Sequence, residues 1–557
     1  MDRLAALGRT RDAARVGEKR GAVLSAMGRY DDAVAVLDGV AAAHLKTGDI
    51  DGYGRVTAQI AHAYARRGTP DQGFERIEDC LPVLMQAGAT RGLATVYAAL
   101  AHLYWLSGRY EEQAAAAARA AAAARAVGDD VALAAAEGRR GAALYGQGRF
   151  DEALAVLEDV ARLAEVAGDL ETLWRALNNI ATIYFTRGEF DRCFPVGDRS
   201  IEIARRQNDP VAIARVLANR GEGSLYSGAW ARARADFEEA LALVRGIGDT
   251  EATVYPLLDL AFLSLLEGRW DELASLDDAA RLAERTGDLQ ALRWLGTMRA
   301  ELDIRQGYPE QARARFTSLL DRPGLEETDV TYILPVLAWA SFEEGNTEEA
   351  AAVAARAVDR ARAHGHRVVL VDALRVGALV SCRTGRRAEA VSFLDEGLVL
   401  ARAMPYPFAE ARLLHVYGEV EGMVTDGPHE SHAAREHLEA ALALYERLGA
   451  RKDAADARED LAALPYRGHL AANGIAPTHG QWARIAAIVA SVAPVPRGRP
   501  RADGRRTVAA ILYVQRTGCR WATLPPEFGD DATAHRRYKQ WRADGTWTHI
   551  SRVLSLG

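Results

Sequence analysis

A short basic stretch, PRGRPRADGRR at residues 496–506, concentrates positive charge near the end of this 557-residue chain. Guanidinium groups stay charged and their fixed donor geometry matches phosphate oxygens. Residues 481–557 contain 13 Lys and Arg against 5 Asp and Glu, although the whole chain has a net charge of −7. Such an asymmetry indicates two modules with different partners, and it predicts that the basic one binds a polyanion.

A second group of basic residues falls on a helix that the sequence predicts from Asp530 or Asp531 to about Arg542. Shorter helices are expected over 478–491, 505–517 and 547–554. A compact helical unit with one basic helix after a tight connection is consistent with a helix-turn-helix, whose last helix enters the major groove. The predicted DNA contacts are Arg497, Arg499, Arg501, Arg505, Arg536, Arg537, Lys539 and Arg542.

Other reactive side chains give no catalytic pattern. His429, His432 and His437 could in principle hold a metal, but they follow a Asp-Gly-Pro loop signal, so we expect no metal site there. The four cysteines form no CxxC pair, and none of the four lysines follows a glycine, which excludes a phosphate-binding P-loop within the chain. The sequence therefore predicts a binding protein without catalytic residues or cofactor.

The elements that carry these residues come in two parts, and the first is a repeat. A glycine recurs at intervals of 40 residues and then drifts slightly; its positions are Gly28, Gly68, Gly108, Gly148, Gly188, Gly228, Gly268, Gly307, Gly345 and Gly385. Fixed periods of this length indicate stacked supersecondary units. Ten units are clear, and an eleventh near Gly427 is degraded.

Each unit repeats chemistry as well as length. The residue seven positions before the glycine is small, the residue two positions after it is commonly aromatic, and a Gly-Asp pair such as Gly168-Asp169 follows about 20 residues later. A small residue allows two helices to approach closely, while glycine ends one helix and Asp caps the next. Each unit is thus interpreted as helix A, glycine turn, helix B and Gly-Asp turn.

This pattern resembles the tetratricopeptide repeat in a 40-residue form, as in the sensor arms of large bacterial transcription regulators. The resemblance implies an all-α chain, with a right-handed superhelical solenoid over residues 1–464. Pro, Gly and Asn predict a linker over 465–480, and a small helix-turn-helix-like domain follows over 481–557. HEAT-type repeats share the length and remain the alternative.

The resemblance places helix A on a concave face, where peptides or partner helices bind. Nine residues before each turn glycine lies a largely polar stripe that includes Arg139, Asn179 and Asn219. Amide side chains both donate and accept hydrogen bonds, so Asn179 and Asn219 are predicted to hold a peptide or protein backbone. The alternative is a solvated groove wall.

The tail resembles the N-terminal domain of insertion-element transposases of the DDE class. The matching positions include Gly498-Arg499-Pro500-Arg501, Arg516-Thr517-Gly518-Cys519, Leu524-Pro525-Pro526, Arg536-Arg537-Tyr538 and Asp544-Gly545. In such transposases a ribonuclease-H-like domain follows and supplies the metal-binding triad, and we expect that catalytic domain to be absent here. Arg497-Gly498-Arg499-Pro500 also resembles an AT-hook core.

Three functions follow from this layout. The first is a non-enzymatic interaction scaffold with a transposase-type DNA-binding module, formed when an insertion element entered a regulator gene. The second is a genuine regulator whose solenoid senses a peptide or protein, and the third is the N-terminal part of a frameshifted transposase. With no apolar run of about 18 residues, we expect a cytoplasmic protein that makes no membrane contact.

Overall fold

The computed structural model describes residues 10–273, 275–321, 327–423, 428–475, 477–492 and 503–554. In these ranges the regular structure is entirely helical, with 27 α-helices, three short 3-10 helices and no strand. No helix in the described part of the chain is both long and apolar enough to cross a bilayer.

Helices α1 to α23 form the repeat array. They are α1 Thr10–Ala26, α2 Tyr30–Thr47, α3 Ile50–Arg67, α4 Pro70–Ala87, α5 Arg91–Leu106, α6 Tyr110–Ala126, α7 Asp130–Gly146, α8 Phe150–Ala167, α9 Leu170–Thr186, α10 Phe190–Gln207, α11 Pro210–Tyr226, α12 Trp230–Ile247, α13 Thr250–Leu266, α14 Ser275–Thr286, α15 Leu289–Arg305, α16 Pro309–Leu320, α17 Thr328–Glu344, α18 Thr347–Ala363, α19 Arg367–Arg383, α20 Arg387–Ala403, α21 Pro407–Gly422, α22 Pro428–Leu448 and α23 Arg451–Ala472. Four shorter helices follow: α24 His479–Ser491, α25 Gly504–Thr517, α26 Asp531–Ala543 and α27 Thr546–Val553.

The predicted turn chemistry is confirmed. The turn glycines adopt a positive φ, for example 69° at Gly168, which side chains with a Cβ rarely adopt. The Asp that follows then caps the next helix, since the Asp169 carboxylate accepts a hydrogen bond of 3.1 Å from the Thr172 amide. Repetition of this local chemistry fixes where each helix begins and ends.

The small residue before each turn is confirmed as the point where helices A and B approach closely. A Cβ built on Gly221 would lie 2.4 Å from Cε1 of Phe237 on the paired helix. The aromatic after the turn fills the adjoining space, and Trp230 is 5% exposed. Close packing of this kind gains both hydrophobic and dispersion energy.

The odd-numbered helices form the inner layer of the array. Helices α3, α5 and α7 contact one another directly, as do α15, α17 and α19. Inner helices of one superhelical turn also meet those of the next, because α13 contacts α3 and α17 contacts α7. The array is therefore a tetratricopeptide-like helical solenoid whose successive turns touch.

Contacts between distant turn residues close the superhelix. A Cβ on Gly68 would lie 2.5 Å from the carbonyl oxygen of Arg285, and Gly148 is similarly close to His364. Thr328 Oγ1 donates a 2.9 Å hydrogen bond to the carbonyl of Tyr145. Each of these residues therefore meets one about five units further along the chain, so successive turns of the superhelix are in contact.

The boundary of the solenoid differs from the sequence-based expectation. Residues 465–472, assigned to a linker from their composition, form the last two turns of α23, and Pro465 lies inside that helix. Tyr466 and Leu470 are buried in the same core as Trp482 and Ile511 of the following helices. This burial offsets the hydrogen bond that Pro465 cannot make.

Candidate nucleic-acid interface and solenoid interior

Helices α24 to α27 form a small module, called here the C-terminal module, and their sequence-based bounds are confirmed to within two residues. Thr478 caps α24 because its Oγ1 accepts a hydrogen bond from the Gln481 N–H, and Gln481 Oε1 accepts one from the Thr478 N–H. Trp541 and Trp547 are buried with Ile511 and Ile550 in the module core. The module is thus a packed helical unit whose core also includes side chains from the end of α23.

Helix α26 carries the basic face that the sequence predicted. Asp530 caps it by accepting a 2.9 Å hydrogen bond from the Thr533 amide, and Ala534 and Trp541 turn toward the core. Arg536, Lys539 and Arg542, spaced three residues apart, lie exposed on the other side, whereas Arg537 is half-buried. Three-residue spacing places side chains on one face of a helix.

The exposed cations of α26 are available for a ligand. Within the described part of the chain, Arg536, Lys539 and Arg542 form no ion pair with a carboxylate within 4.0 Å. The Arg542 guanidinium lies 5.8 Å from the centroid of Tyr538, and Gln515 Nε2 donates a 2.7 Å hydrogen bond to the Tyr538 hydroxyl. These contacts hold the helix surface in place and leave its three exposed cations without a direct ion pair in the described residues.

The other predicted DNA contacts are placed differently. Arg497, Arg499 and Arg501 lie outside the described residues. Arg505 faces the solenoid: its Nη2 lies 2.7 Å from Asp460 Oδ1, its Nη1 lies 3.4 Å from Glu459, and its side chain is 14% exposed. We therefore correct the expectation for Arg505, whose charge is already compensated by solenoid carboxylates.

Arg505 belongs to a cluster of charged side chains between the solenoid and the C-terminal module. We call this set the junction network; it comprises His415, Glu419, Asp460, Arg467, His479 and Arg505. His479 Nε2 lies 2.6 Å from Glu419 Oε1 and 3.2 Å from Asp460 Oδ2, and His415 Nε2 lies 3.0 Å from the same Asp460 oxygen. Sequence patterns missed the network because its members are up to 90 residues apart.

The pKa values in the junction network shift in the directions expected for groups that lie beside opposite charges. Burial alone would lower the pKa of His479, but the carboxylates of Glu419 and Asp460 raise it well above its ordinary value. Burial would raise the pKa of Glu419, yet His479 and Arg467 lower it to about 2. Protonated His479 therefore joins two guanidinium groups in neutralising two carboxylates.

The same atoms satisfy the donor chemistry of a metal site, because ligand atoms of His415, Asp460 and His479 lie within 4.8 Å of one another. Arg467 Nη2, however, lies 2.8 Å from Glu419 and Arg505 Nη2 lies 2.7 Å from Asp460. Two guanidinium charges at this distance repel a divalent cation, so the arrangement favours an ion-pair network.

The histidines singled out near the degraded repeat are only partly described. The side chain of His429 lies outside the described set. His432 pairs with Glu436 on its own helix at 3.3 Å, and His437 Nδ1 lies 2.8 Å from Glu421. Each described imidazole thus has its own carboxylate partner.

The predicted groove residues lie on the inner layer, but two of them, Arg139 and Asn219, form hydrogen bonds with other parts of the protein. Asn219 Nδ2 donates a 3.0 Å hydrogen bond to Asn178 Oδ1, not to Asn179, which is half-buried. Arg139 Nε donates to the carbonyl of Ala98 at 2.9 Å. Burial and the nearby charge of Arg175 lower the pKa of Arg139 to about 10.

A small cleft is lined by Asn178, Thr182, Asn219, Arg220, Glu222 and neighbouring apolar side chains. The cleft lies between three consecutive helices of the middle repeats, α9, α10 and α11. Of the predicted groove residues, only Asn219 lines this cleft. Sequence reasoning missed Glu222, whose position on the repeat gave no distinctive signal.

Comparisons with known proteins bear on both parts of the chain. Residues 478–551 match the family model described as "Putative transposase of IS4/5 family (DUF4096)". The uncharacterized protein y4sN of Sinorhizobium fredii is 36% identical over 75 residues, which are 14% of this chain and 59% of that protein. The insertion element IS402 uncharacterized 16.2 kDa protein of Burkholderia cepacia is 37% identical over 68 residues, 11% of this chain and 46% of that protein.

The chain therefore spans about half the length of the curated relatives that it matches. Among solved structures, a Rap protein complexed with Competence and Sporulation Factor aligns with 71% of this chain and 98% of its own, at 11% identity and a TM-score of 0.44. The Cut9–Hcn1 hetero-tetramer of APC/C aligns with 82% of this chain and 94% of its own, at 13% identity and a TM-score of 0.41.

Proposed function

We propose that this protein is a non-enzymatic scaffold that binds DNA through its C-terminal module. In this chain a tetratricopeptide-like solenoid is joined to an IS4/5 transposase-family domain. The single observation that carries the proposal is the exposed basic face of α26, formed by Arg536, Lys539 and Arg542 on a helix whose other side is buried. A helix of about 10–12 Å diameter fits the major groove of B-DNA.

In this proposal the positive charge engages phosphates and base edges, while the solenoid engages a protein or peptide. Arginine and lysine contacts to phosphates position the helix, and bidentate contacts to bases specify the site. Access to DNA also requires a cytoplasmic location. The origin we favour is an insertion of transposase sequence into a regulator gene.

A regulator that uses the same parts purposefully is the second candidate, and the junction network supports it. Arg505 and His479 of the C-terminal module pair with the buried carboxylates of Asp460 and Glu419 of the solenoid, so the two parts share a specific interface. A shared interface allows a ligand in one part to influence the other. A frameshifted transposase, the third reading, would need a catalytic frame that supplies a carboxylate triad.

The test is DNA binding by the full chain, measured by fluorescence anisotropy with duplex DNA over a range of salt concentrations. Replacing Arg536, Lys539 and Arg542 together with Ala should weaken binding and flatten the slope of log K against log salt by about 3, since each phosphate contact contributes about 0.9. The matched control replaces exposed Arg162, Arg206 and Arg281 of the outer solenoid, which removes the same charge.

Equal binding by the α26 variant and the wild type would contradict the proposal, as would an equal loss in the control variant. Metal-dependent cleavage of the DNA by the purified chain would contradict the non-enzymatic part. DNA binding and DNA cleavage are measured on the same protein preparations. The thermal unfolding curve of each preparation shows whether a loss of binding comes from a loss of folding.

A further inference from the structure

The three exposed cations of α26 differ in how their side chains are held. The guanidinium of Arg542 lies against an aromatic ring, 5.8 Å from the centroid of Tyr538 one helical turn earlier. The side chains of Arg536 and Lys539 form no hydrogen bond, ion pair or ring contact within the described part of the chain. Arg542 is therefore the one of the three whose charged group is positioned before a ligand binds.

The Tyr538 ring is in turn held by contacts from three other elements. Gln515 Nε2, near the end of α25, donates a 2.7 Å hydrogen bond to the Tyr538 hydroxyl. The ring packs at an interplanar angle of 89° against buried Trp547 of α27, with centroids 5.4 Å apart. Trp521, in the 3-10 turn before α26, lies 5.9 Å away. These contacts fix Tyr538, and with it Arg542, relative to the core of the C-terminal module.

The carboxylates closest in sequence to the ends of α26 are used by the backbone. Asp544 Oδ1 accepts hydrogen bonds from the Thr546 amide and hydroxyl at 3.0 and 2.6 Å, where α27 begins. Asp530 accepts a hydrogen bond from the Thr533 amide at the start of α26. Among the described residues, Arg542 has no carboxylate partner, so its N–H donors are available to a ligand.

The two kinds of contact with DNA need different side chains. Phosphate oxygens line both edges of the groove, so a mobile cation can reach one from many positions, whereas a base offers its acceptors at one place. Guanine presents O6 and N7 side by side in the major groove, and the planar fork of arginine matches this pair. A side chain that is already positioned loses less conformational entropy when it makes such a contact.

We propose that Arg542 reads a guanine base in the major groove, with Tyr538 as the residue that positions it, while Arg536 and Lys539 contact phosphates. This assignment rests on the proposed DNA-binding function and names the base that the C-terminal module recognises. A guanidinium in the groove still lies among the phosphates, so all three cations contribute to the salt dependence of binding.

The experiment selects bound DNA from a pool of duplexes with a randomised central segment, using the full chain. Arg542→Lys keeps the charge and removes the fork of N–H donors. The matched control, Arg536→Lys, makes the same change at an exposed position of the same helix where no ring holds the side chain. Tyr538→Leu removes the ring beneath Arg542, and Tyr538→Phe keeps the ring but loses the hydroxyl bonded to Gln515.

We expect the wild type to select at least one G·C pair. In competition with the same duplex carrying A·T at that position, its preference should be roughly tenfold or more, and it should fall to about twofold or less in Arg542→Lys. Arg536→Lys should retain the preference. The slope of log K against log salt should stay the same in both variants, because neither changes the charge.

Tyr538→Leu should lose most of the preference for G·C while its salt slope stays unchanged, and Tyr538→Phe should keep most of the preference because the ring remains. All binding is measured below the lowest melting transition of the set, so that only folded protein is compared. Full preference in folded Tyr538→Leu would remove the positioning role of Tyr538.

Binding without a preferred G·C pair, an undiminished preference in Arg542→Lys, or an equal loss in Arg536→Lys overturns the assignment of Arg542. Each of these results leaves DNA binding by the C-terminal module intact. Absence of binding to every duplex would instead contradict the proposed function itself, and the assignment with it.

Discussion

Arg505 Nη2 donates a hydrogen bond to Asp460 Oδ1 at 2.7 Å, and this contact joins the C-terminal module to the last helix of the solenoid. The guanidinium also lies 4.9 Å from the centroid of the Trp482 ring. Asp460 is fully buried and also pairs with Arg467, His415 and His479. The module is thus held by a specific, desolvated set of charges.

The Arg505 and Asp460 side chains should therefore show strong energetic coupling. Arg505→Ala leaves a buried carboxylate short of one cation, and loss of one partner of a buried ion pair costs roughly 3 to 5 kcal/mol. A double-mutant cycle with Asp460→Asn, measured by urea unfolding, should give a coupling energy of about 1 to 3 kcal/mol. Additive effects of the two substitutions would show that the contact does not stabilise the interface.

The junction network should also make stability depend on pH. His479 has a raised pKa in the folded chain, so its contribution is fully present below about pH 6.5 and is lost as pH rises through the raised folded value. Glu419 has a folded pKa of about 2, so its contribution is present above about pH 4.5 and is lost toward pH 2.

Both contributions coexist between about pH 4.5 and 6.5, where the melting temperature should be highest. His479→Gln should lower the melting temperature in this window and remove the decline that His479 causes at alkaline pH. His432→Gln is the control, because His432 is 72% exposed and pairs only along its own helix. A wild-type melting temperature that stays constant between about pH 5 and about pH 9 would contradict the assignment.

Glu222 should destabilise the chain when it is ionised. Its folded pKa of about 7 exceeds the ordinary value of 4.5, so the folded state binds more protons and stability falls as pH rises between these values. Glu222→Gln should stabilise the chain by roughly 1 to 3 kcal/mol at pH 8 and much less at pH 5. Thermal unfolding at the two pH values checks this, with Glu202→Gln as the exposed control.

Close helix packing gives a prediction for the repeat itself. Gly221→Ala would place a Cβ 2.4 Å from Phe237 Cε1 and should destabilise the chain by about 1 to 3 kcal/mol, since the Phe237 ring must move. Gly39→Ala on α2 meets nothing within 4 Å and should be neutral or stabilising by up to about 1 kcal/mol. Equal melting temperatures for the two variants would contradict the role of the small residue.

The basic stretch before α25 should act differently from α26. Arg497 and Arg499 lie outside the described residues, so this prediction rests on the sequence. Replacing both with Ala should flatten the salt slope of DNA binding by about 2 while leaving sequence preference unchanged, because phosphate contacts carry no base information. Competition between several duplexes measures the preference, and a changed ranking would contradict a phosphate-only role.

Local chemistry in the sequence determined much of this structure. The turn glycines such as Gly168, the capping role of Asp169 and the bounds of α24 to α27 depend on residues within one or two helical turns of each other, and their recurrence every 40 residues defines the repeat. Such features are readable because backbone conformation and capping are short-range effects. The basic face of α26 followed from the same helical spacing.

Tertiary structure decided the rest. The contact of successive turns at Gly68 and Arg285 and the ion pair between Arg505 and Asp460 both join residues far apart in the chain. Their meeting depends on the superhelical pitch, which accumulates small rotations from every repeat and has no local sequence signature. Residues 465–472 show the same principle, because burial of Tyr466 and Leu470 keeps them helical despite Pro465.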